Sequence, residues 1–191
     1  MEGWWAASYV VLWFLVIGLC LIVVGLARQV GTLHLRLGPR GALELDDEGP
    51  PLGEAPIPID AVDTSGAPVN IGGPGEAQLL LFVSPTCGSC AEVLPSLSVV
   101  AREGTMTPIV ITDAEASAAR TIATKRVGAR VVSSAEAVRL YEVPGTPYVV
   151  ALDRGGVVRA KGTANNLEQM EGLVDTARRR LSEPLHQPEA S

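Results

Sequence analysis

The pattern of apolar positions divides the chain into an apolar leader, a short polar connector and a long alternating region. Gly3 to Ala27 carries no charged residue, and Val10 to Leu26 is almost wholly Val, Leu, Ile, Trp and Phe. A helix needs about 20 such residues to span a hydrocarbon core, so residues 4–27 are predicted to be a transmembrane anchor. Trp4, Trp5 and Tyr9 suit one membrane interface, where amphipathic rings collect. The alternatives are a buried core helix or a cleaved signal peptide, with Gly25-Leu26-Ala27 as a loose cleavage site. A signal peptide wants a basic leader and a shorter apolar core, however, and here only Met1 and Glu2 come first. Arg28 to Leu37 prolongs the helix for a few turns, with Val30, Leu33 and Leu37 on one face as a stalk or weak dimer seam. Gly38-Pro39 ends it, and Asp46-Asp47-Glu48-Gly49-Pro50-Pro51 reads as an acidic, proline-bearing linker, making residues 28–52 stalk and linker.

From Gly53 the pattern is that of one α/β domain, predicted over residues 53–181. Ile57–Val62 and Pro68–Ile71 flank Asp63-Thr64-Ser65-Gly66, a hairpin signal. Leu79–Val83 is an uninterrupted apolar run that predicts a central strand, and Ser89–Arg102 a helix. Thr107–Thr112 predicts a second buried strand, Ala114–Lys125 a helix and Ala129–Val132 a short strand. A short helix over Ser134–Tyr141 follows, capped by Ser133 or Ser134. Tyr148–Asp153 and Val157–Lys161 predict a hairpin across Arg154-Gly155-Gly156, and Asn165 or Asn166 caps a last helix running to about Leu181. Residues 182–191, with Pro184 and Pro188, read as a disordered tail. Strands alternating with helices, then a terminal hairpin and helix, predict a mixed sheet covered on both faces.

The chemistry lies in Cys87-Gly88-Ser89-Cys90, between the Leu79–Val83 strand with its turn Ser84-Pro85-Thr86 and the helix Ala91-Glu92-Val93-Leu94. That order puts two thiols at the first turn of a helix. Unpaired backbone N–H groups and the helix dipole favour an anion there, so the first thiol ionises more readily than a free cysteine. A thiolate with a second thiol one turn away can attack a disulfide and then be released by its neighbour. A zinc knuckle needs two more ligands, yet the other cysteine is Cys20, in the apolar leader, and the histidines are His34 and His186. Cys20 reads as a small apolar residue facing lipid or another helix. A structural bridge between Cys87 and Cys90 would close a very small loop and contribute little stability.

Of the 191 residues 47% are hydrophobic, much of that excess lies in the anchor, and the net charge is −6. Roughly 130 residues remain for the domain, enough for a real core. An acidic balance without a basic stripe gives no support for a nucleic-acid partner. No metal or other cofactor is expected.

The CxxC motif after a buried strand, with Val143-Pro144-Gly145-Thr146-Pro147-Tyr148 leading into a later apolar strand, resembles the thioredoxin superfamily. That resemblance implies a thioredoxin-like mixed sheet and a cis Thr146-Pro147 bond facing the cysteines, with the Thr146 backbone pairing to a substrate strand. Gly53-Glu54-Ala55-Pro56 followed by a hairpin resembles the membrane-anchored TlpA-like and peroxiredoxin-like branch. Ala27-Arg28-Gln29-Val30-Gly31-Thr32-Leu33-His34, Gly41-Ala42-Leu43 and Ser84-Pro85-Thr86-Cys87 resemble more closely the MauD family of methylamine utilisation proteins. That family is implicated in maturing methylamine dehydrogenase, whose small subunit is rich in disulfides. Thioredoxins carry Trp before the first Cys and Pro after it, where this chain has Thr86 and Gly88; Leu81 stands where they bury a carboxylate. The peroxiredoxin pattern around a lone cysteine is not reproduced by Pro85-Thr86-Cys87.

These observations predict a membrane-anchored thiol–disulfide oxidoreductase. Cys87 is the expected attacking thiolate, Cys90 the resolving thiol, and Thr146 with Pro147 the substrate-docking element. The expected partners are a client protein with cysteines or disulfides, a membrane or soluble electron-relay partner, and membrane lipid around the anchor. The rival reading is a copper chaperone like the Sco proteins, which need a distal histidine that neither His34 nor His186 supplies. A redox-inactive docking module is a further alternative. Arg28, Arg36 and Arg40 follow the span and would hold the domain in the cytoplasm. The family resemblance instead places it on the extracytoplasmic side, where protein disulfides form, and that side is favoured. The Gly88-Ser89 pair does not fix whether the domain oxidises or reduces.

Overall fold

The computed structural model describes residues 3–36, 48–124 and 128–182. They fall into two compact units, one ending at Pro39 and the other starting at Arg40. The first is a single helix, α1 (Gly3–Arg36), of 34 residues. Within it Gly3–Ile22 has a mean hydropathy of 2.3 and none of it is buried. Twenty residues at 1.5 Å each give about 30 Å, the thickness of a hydrocarbon core, so this helix is long and apolar enough to cross a membrane. Trp4, Trp5 and Tyr9 are exposed near its start. The helix runs on past Ala27 to Arg36. Leu37, the Gly38-Pro39 break, the acidic run as far as Asp47, and the tail from residue 183 lie outside the described residues.

The second unit opens with the hairpin β1 (Ile59–Val62) and β2 (Pro68–Ile71), which forms a two-stranded sheet of its own. Asp63 makes the turn by accepting the N–H groups of Ser65 and Ala67, at 2.8 and 3.0 Å. Then come β3 (Gln78–Phe82), α2 (Gly88–Glu103), β4 (Thr107–Thr112), α3 (Ala116–Ala123), β5 (Arg130–Ser133) and α4 (Ala135–Leu140). The described residues end with β6 (Tyr148–Leu152), β7 (Val158–Thr163) and α5 (Leu167–Ser182). The main sheet has the order β5-β4-β3-β6-β7. Its β3, β4 and β5 run parallel, while β6 is antiparallel to both β3 and β7. This is the mixed sheet expected, with β3 at its centre because Leu79–Phe82 are apolar on both faces and wholly buried.

Alternation along β3 splits the core in two. Leu79 and Leu81 point into a cluster closed by Leu97 of α2 and Leu173 of α5. Leu80 and Phe82 point the other way, towards Ile71 of the hairpin and Tyr141 beyond α4. Each fully buried leucine contributes about 1.5–3 kcal/mol, so both faces are held by burial and neither is left to solvent. Capping is as legible locally. The Ser134 hydroxyl accepts the Ala137 N–H at 3.1 Å, and Asn166 Oδ1 accepts the Gln169 N–H at 2.9 Å.

Pro95 lies inside α2, within the helix expected from the sequence, on its exposed side, where the carbonyl it leaves unpaired can meet water. Some differences from the sequence reading have clear causes. The strand β7 continues to Thr163, two residues beyond the predicted end, because Tyr148 pairs with Thr163. The domain is tied in ahead of Gly53: Pro50 is buried and Leu52 packs on the second core cluster.

Candidate active site

The site forms where β3 leaves the sheet. The Val83 N–H bonds the Ile111 carbonyl at 2.9 Å, prolonging the pairing with β4, and the chain then turns. In Ser84-Pro85-Thr86-Cys87 the Cys87 N–H reaches back to the Ser84 carbonyl at 3.1 Å, with Pro85 at the position where its fixed φ suits a turn. The Ser84 and Thr86 hydroxyl oxygens lie 3.0 Å apart across that turn, a pairing the sequence reading did not single out.

The turn delivers Cys87 as the N-cap of α2, where its sulfur accepts the Cys90 N–H at 3.2 Å. This is the place a serine or aspartate oxygen takes in an ordinary cap, so one of the helix's free N–H groups is aimed at the sulfur. Cys87 and Cys90 form a disulfide with their Cα atoms 5.4 Å apart. Their environments differ. Cys87 is half-buried, whereas Cys90 is 2% exposed and belongs to the same apolar cluster as Leu81. Leu81, at the strand position where a buried carboxylate would stand in thioredoxins, leaves the floor beneath Cys90 apolar.

A second element closes over Cys87. Phe82 at the end of β3 lies opposite Tyr148 at the start of β6, so the residues just before Tyr148 come alongside the turn that carries Cys87. The Thr146-Pro147 bond is cis, as the resemblance implied. The Thr146 carbonyl oxygen is 3.5 Å from Cys87 Sγ, with Thr146 exposed and Pro147 buried. Cys87, Cys90 and Thr146 therefore meet, and Pro147, the fourth residue singled out from the sequence, is joined to Thr146 by the cis bond. The Ser89 hydroxyl, 3.9 Å from Cys87 Sγ, joins them; its only signal in the sequence was its place between the cysteines.

Among the described residues no group of three or more His, Cys, Asp or Glu side chains gathers to hold a metal. His186 lies outside the described residues.

A mixed sheet with a half-exposed cysteine capping a helix, a buried cysteine one turn on, and a proline loop against the first sulfur defines a thioredoxin-like thiol–disulfide oxidoreductase. The fold is shared with a secreted disulfide oxidoreductase of Mycobacterium tuberculosis homologous to E. coli DsbE, at a TM-score of 0.51 and 22% identity. That match covers 61% of this chain and 94% of the other. No protein-family model matches the chain. At the level of sequence it is 40% identical over 174 residues to the methylamine utilization protein MauD of Methylorubrum extorquens, covering 88% of this chain and 84% of that protein. It is 36% identical to MauD of Paracoccus denitrificans, over 93% of this chain and 91% of that one. The chain belongs to the MauD family.

Proposed function

We propose that the protein is a membrane-anchored dithiol–disulfide exchanger that acts on the cysteines of another protein outside the cytoplasm. The observation that carries this reading is the asymmetry of the pair: Cys87 half-exposed at a helix N-cap, Cys90 buried behind it. In the reducing direction the Cys87 thiolate attacks one sulfur of a client disulfide. A Cys87–client bond forms, the client S–S bond breaks, and one client thiolate leaves. Cys90 then loses its proton and its sulfur attacks Cys87 Sγ. The mixed disulfide breaks, the second client sulfur leaves as thiolate, and the Cys87–Cys90 disulfide carries away the two electrons' worth of oxidation. The reverse sequence oxidises a client dithiol. A dithiol or disulfide relay partner, in the membrane or soluble, resets the pair.

Thr146 and Pro147 are the docking element in this reading, with the Thr146 backbone offered to an extended client segment beside Cys87. The name shared by the relatives supports a client in methylamine use, and the disulfide-rich small subunit of methylamine dehydrogenase has the chemistry such a domain handles. The apolar Gly3–Ile22 helix supports membrane anchoring. Disulfide chemistry supports an extracytoplasmic domain, and Arg28, Arg36 and Arg40 argue against it.

The test is thiol by thiol. In the reduced protein Cys87 alkylates faster than Cys90. Cys87→Ser abolishes reduction of insulin disulfides, and Cys90→Ser accumulates a mixed disulfide with the client. Normal turnover in both single variants would remove the assignment.

A further inference from the structure

We propose that Tyr148 is a positioning residue for client docking, held in place by the strap of residues 48–54 that leads into the domain. The inference rests on the reading of Thr146-Pro147 as the docking element. Tyr148 follows Pro147 directly and is 1% exposed. Its backbone is fixed from both sides, by Phe82 of β3 and Thr163 of β7. Its side chain enters the second core cluster, and its hydroxyl donates to the Glu48 carbonyl at 3.0 Å.

The strap is built to receive that side chain. Gly49 has φ +79°, and a Cβ there would overlap the Tyr148 hydroxyl and come within 2.9 Å of its Cζ. Only glycine allows both the backbone angle and this approach. Beyond it Pro50 is buried and Leu52 packs on the same cluster. The far end is stitched to β7: the Gly53 N–H bonds the Val158 carbonyl at 2.9 Å, and the Val158 N–H bonds the Glu54 carbonyl at 2.8 Å. The strap thus touches β6 through Tyr148 and β7 through Val158, the two strands of one hairpin.

Two residues away from Tyr148 along the chain, the Thr146 carbonyl stands 3.5 Å from Cys87 Sγ. Backbone pairing with a client tolerates little error, since N–H···O bonds hold only over about 2.7–3.2 Å. A tyrosine ring pinned at both its backbone and its hydroxyl sets where that carbonyl stands. A tyrosine with a purely structural role would instead affect stability and leave client affinity alone.

The experiment compares Tyr148→Phe, Gly49→Ala, the double variant and Pro147→Ala, each in the full chain in mild detergent. The readouts are kcat and KM for insulin, the rate with oxidised glutathione, and the reduction potential of the cysteine pair. Tyr148→Phe is expected to raise the insulin KM by about three- to tenfold, the scale of one lost buried hydrogen bond, with kcat within about twofold. Gly49→Ala raises it as well, and by less when added to Tyr148→Phe than alone, because the hydroxyl is the atom in its way. The glutathione rate and the potential stay unchanged. An unchanged insulin KM in both single variants, with Pro147→Ala raising it, would overturn the inference and leave the docking reading standing. A shifted potential, or a glutathione rate lost in step with insulin, would also overturn it, because the tyrosine would then act on the cysteines. An unchanged insulin KM in Pro147→Ala would remove the docking reading itself.

Discussion

Replacing Tyr141 by phenylalanine should stabilise the domain, and by more as the pH rises. Tyr141 is wholly buried with its ring centroid 5.6 Å from that of Phe82, and among the described residues its hydroxyl has no hydrogen-bond partner. The oxygen is wedged against the chain at Gly72, where a Cβ would come within 2.8 Å of it. An unpaired buried hydroxyl costs about 1–3 kcal/mol. Removing the oxygen forfeits a few dispersion contacts of about 0.1–0.2 kcal/mol each. The net gain expected for Tyr141→Phe is therefore about 1 kcal/mol, a rise in Tm of roughly 3–6 °C for a domain of this size. Burial also pushes the Tyr141 pKa up to about 12. An unfolded tyrosine titrates near about 10. Because the folded value is the higher one, this group's contribution to stability is complete below the unfolded value and is lost as pH rises through the folded one. A shift of that size corresponds to about 3 kcal/mol lost by the wild type, and none by the phenylalanine variant, which has no proton to release. Urea unfolding of the full chain in mild detergent, followed by near-ultraviolet circular dichroism from neutral to strongly alkaline pH, measures both effects. A variant less stable than wild type at neutral pH, or an advantage that stays flat into the alkaline range, would refute the reasoning.

Asp153 closes the β6–β7 turn, accepting the N–H groups of Gly155 and Val157 at 2.8 and 3.0 Å and Arg159 Nε at 2.7 Å. Burial alone would raise its pKa, but those bonds more than offset it and hold the carboxyl below its ordinary value. Its contribution is present above the unfolded pKa of about 3.9 and is lost as pH falls through the lower folded one. Asp153→Asn should cost about 1–3 kcal/mol at neutral pH, with the deficit shrinking in acid unfolding experiments; a deficit that stays constant in acid would show that the charge is not involved. For topology, a membrane-impermeant maleimide applied to intact cells, or to spheroplasts where there is an outer membrane, should label Cys87 after mild reduction in a Cys20→Ser background. Labelling only after lysis would show that the three arginines hold the domain inside.

What the sequence made legible was local. Leu79–Val83, the Pro85 turn, the CxxC spacing and the caps Ser134 and Asn166 each rest on interactions within a few residues. What escaped it depends on long-range company. Residues 48–52 close an acidic run with Gly49, Pro50 and Pro51, which looks like a solvated linker until Tyr148 arrives from a hundred positions away to take the Glu48 carbonyl. The extension of β7 through Gly162 and Thr163 is hidden because the stretch after Lys161 has neither an apolar run nor clean alternation, and Thr163 is placed by its pairing with Tyr148 across the sheet. The buried hydroxyl of Tyr141 could not be foreseen, since nothing nearby in the chain shows what packs against it. Of the candidate site, the cysteines follow from pattern and chemistry, whereas Thr146 and Pro147 were found only through the family resemblance.

The sulfur and the loop that covers it come from opposite arms of the sheet. Cys87 follows β3 and Thr146 precedes β6, 59 residues later, and only the antiparallel zipping of those strands brings them together. A chain whose parallel arm has formed alone would display its thiols with nothing beside them. On the docking proposal, such a half-built copy would react with any accessible disulfide, whereas the finished domain would admit only what fits along the loop. Selectivity would then be a property of completion: the closure that ends folding would turn an indiscriminate dithiol into a discriminating one, and damage to the hairpin arm should produce a promiscuous cross-linker before it produces an inert protein.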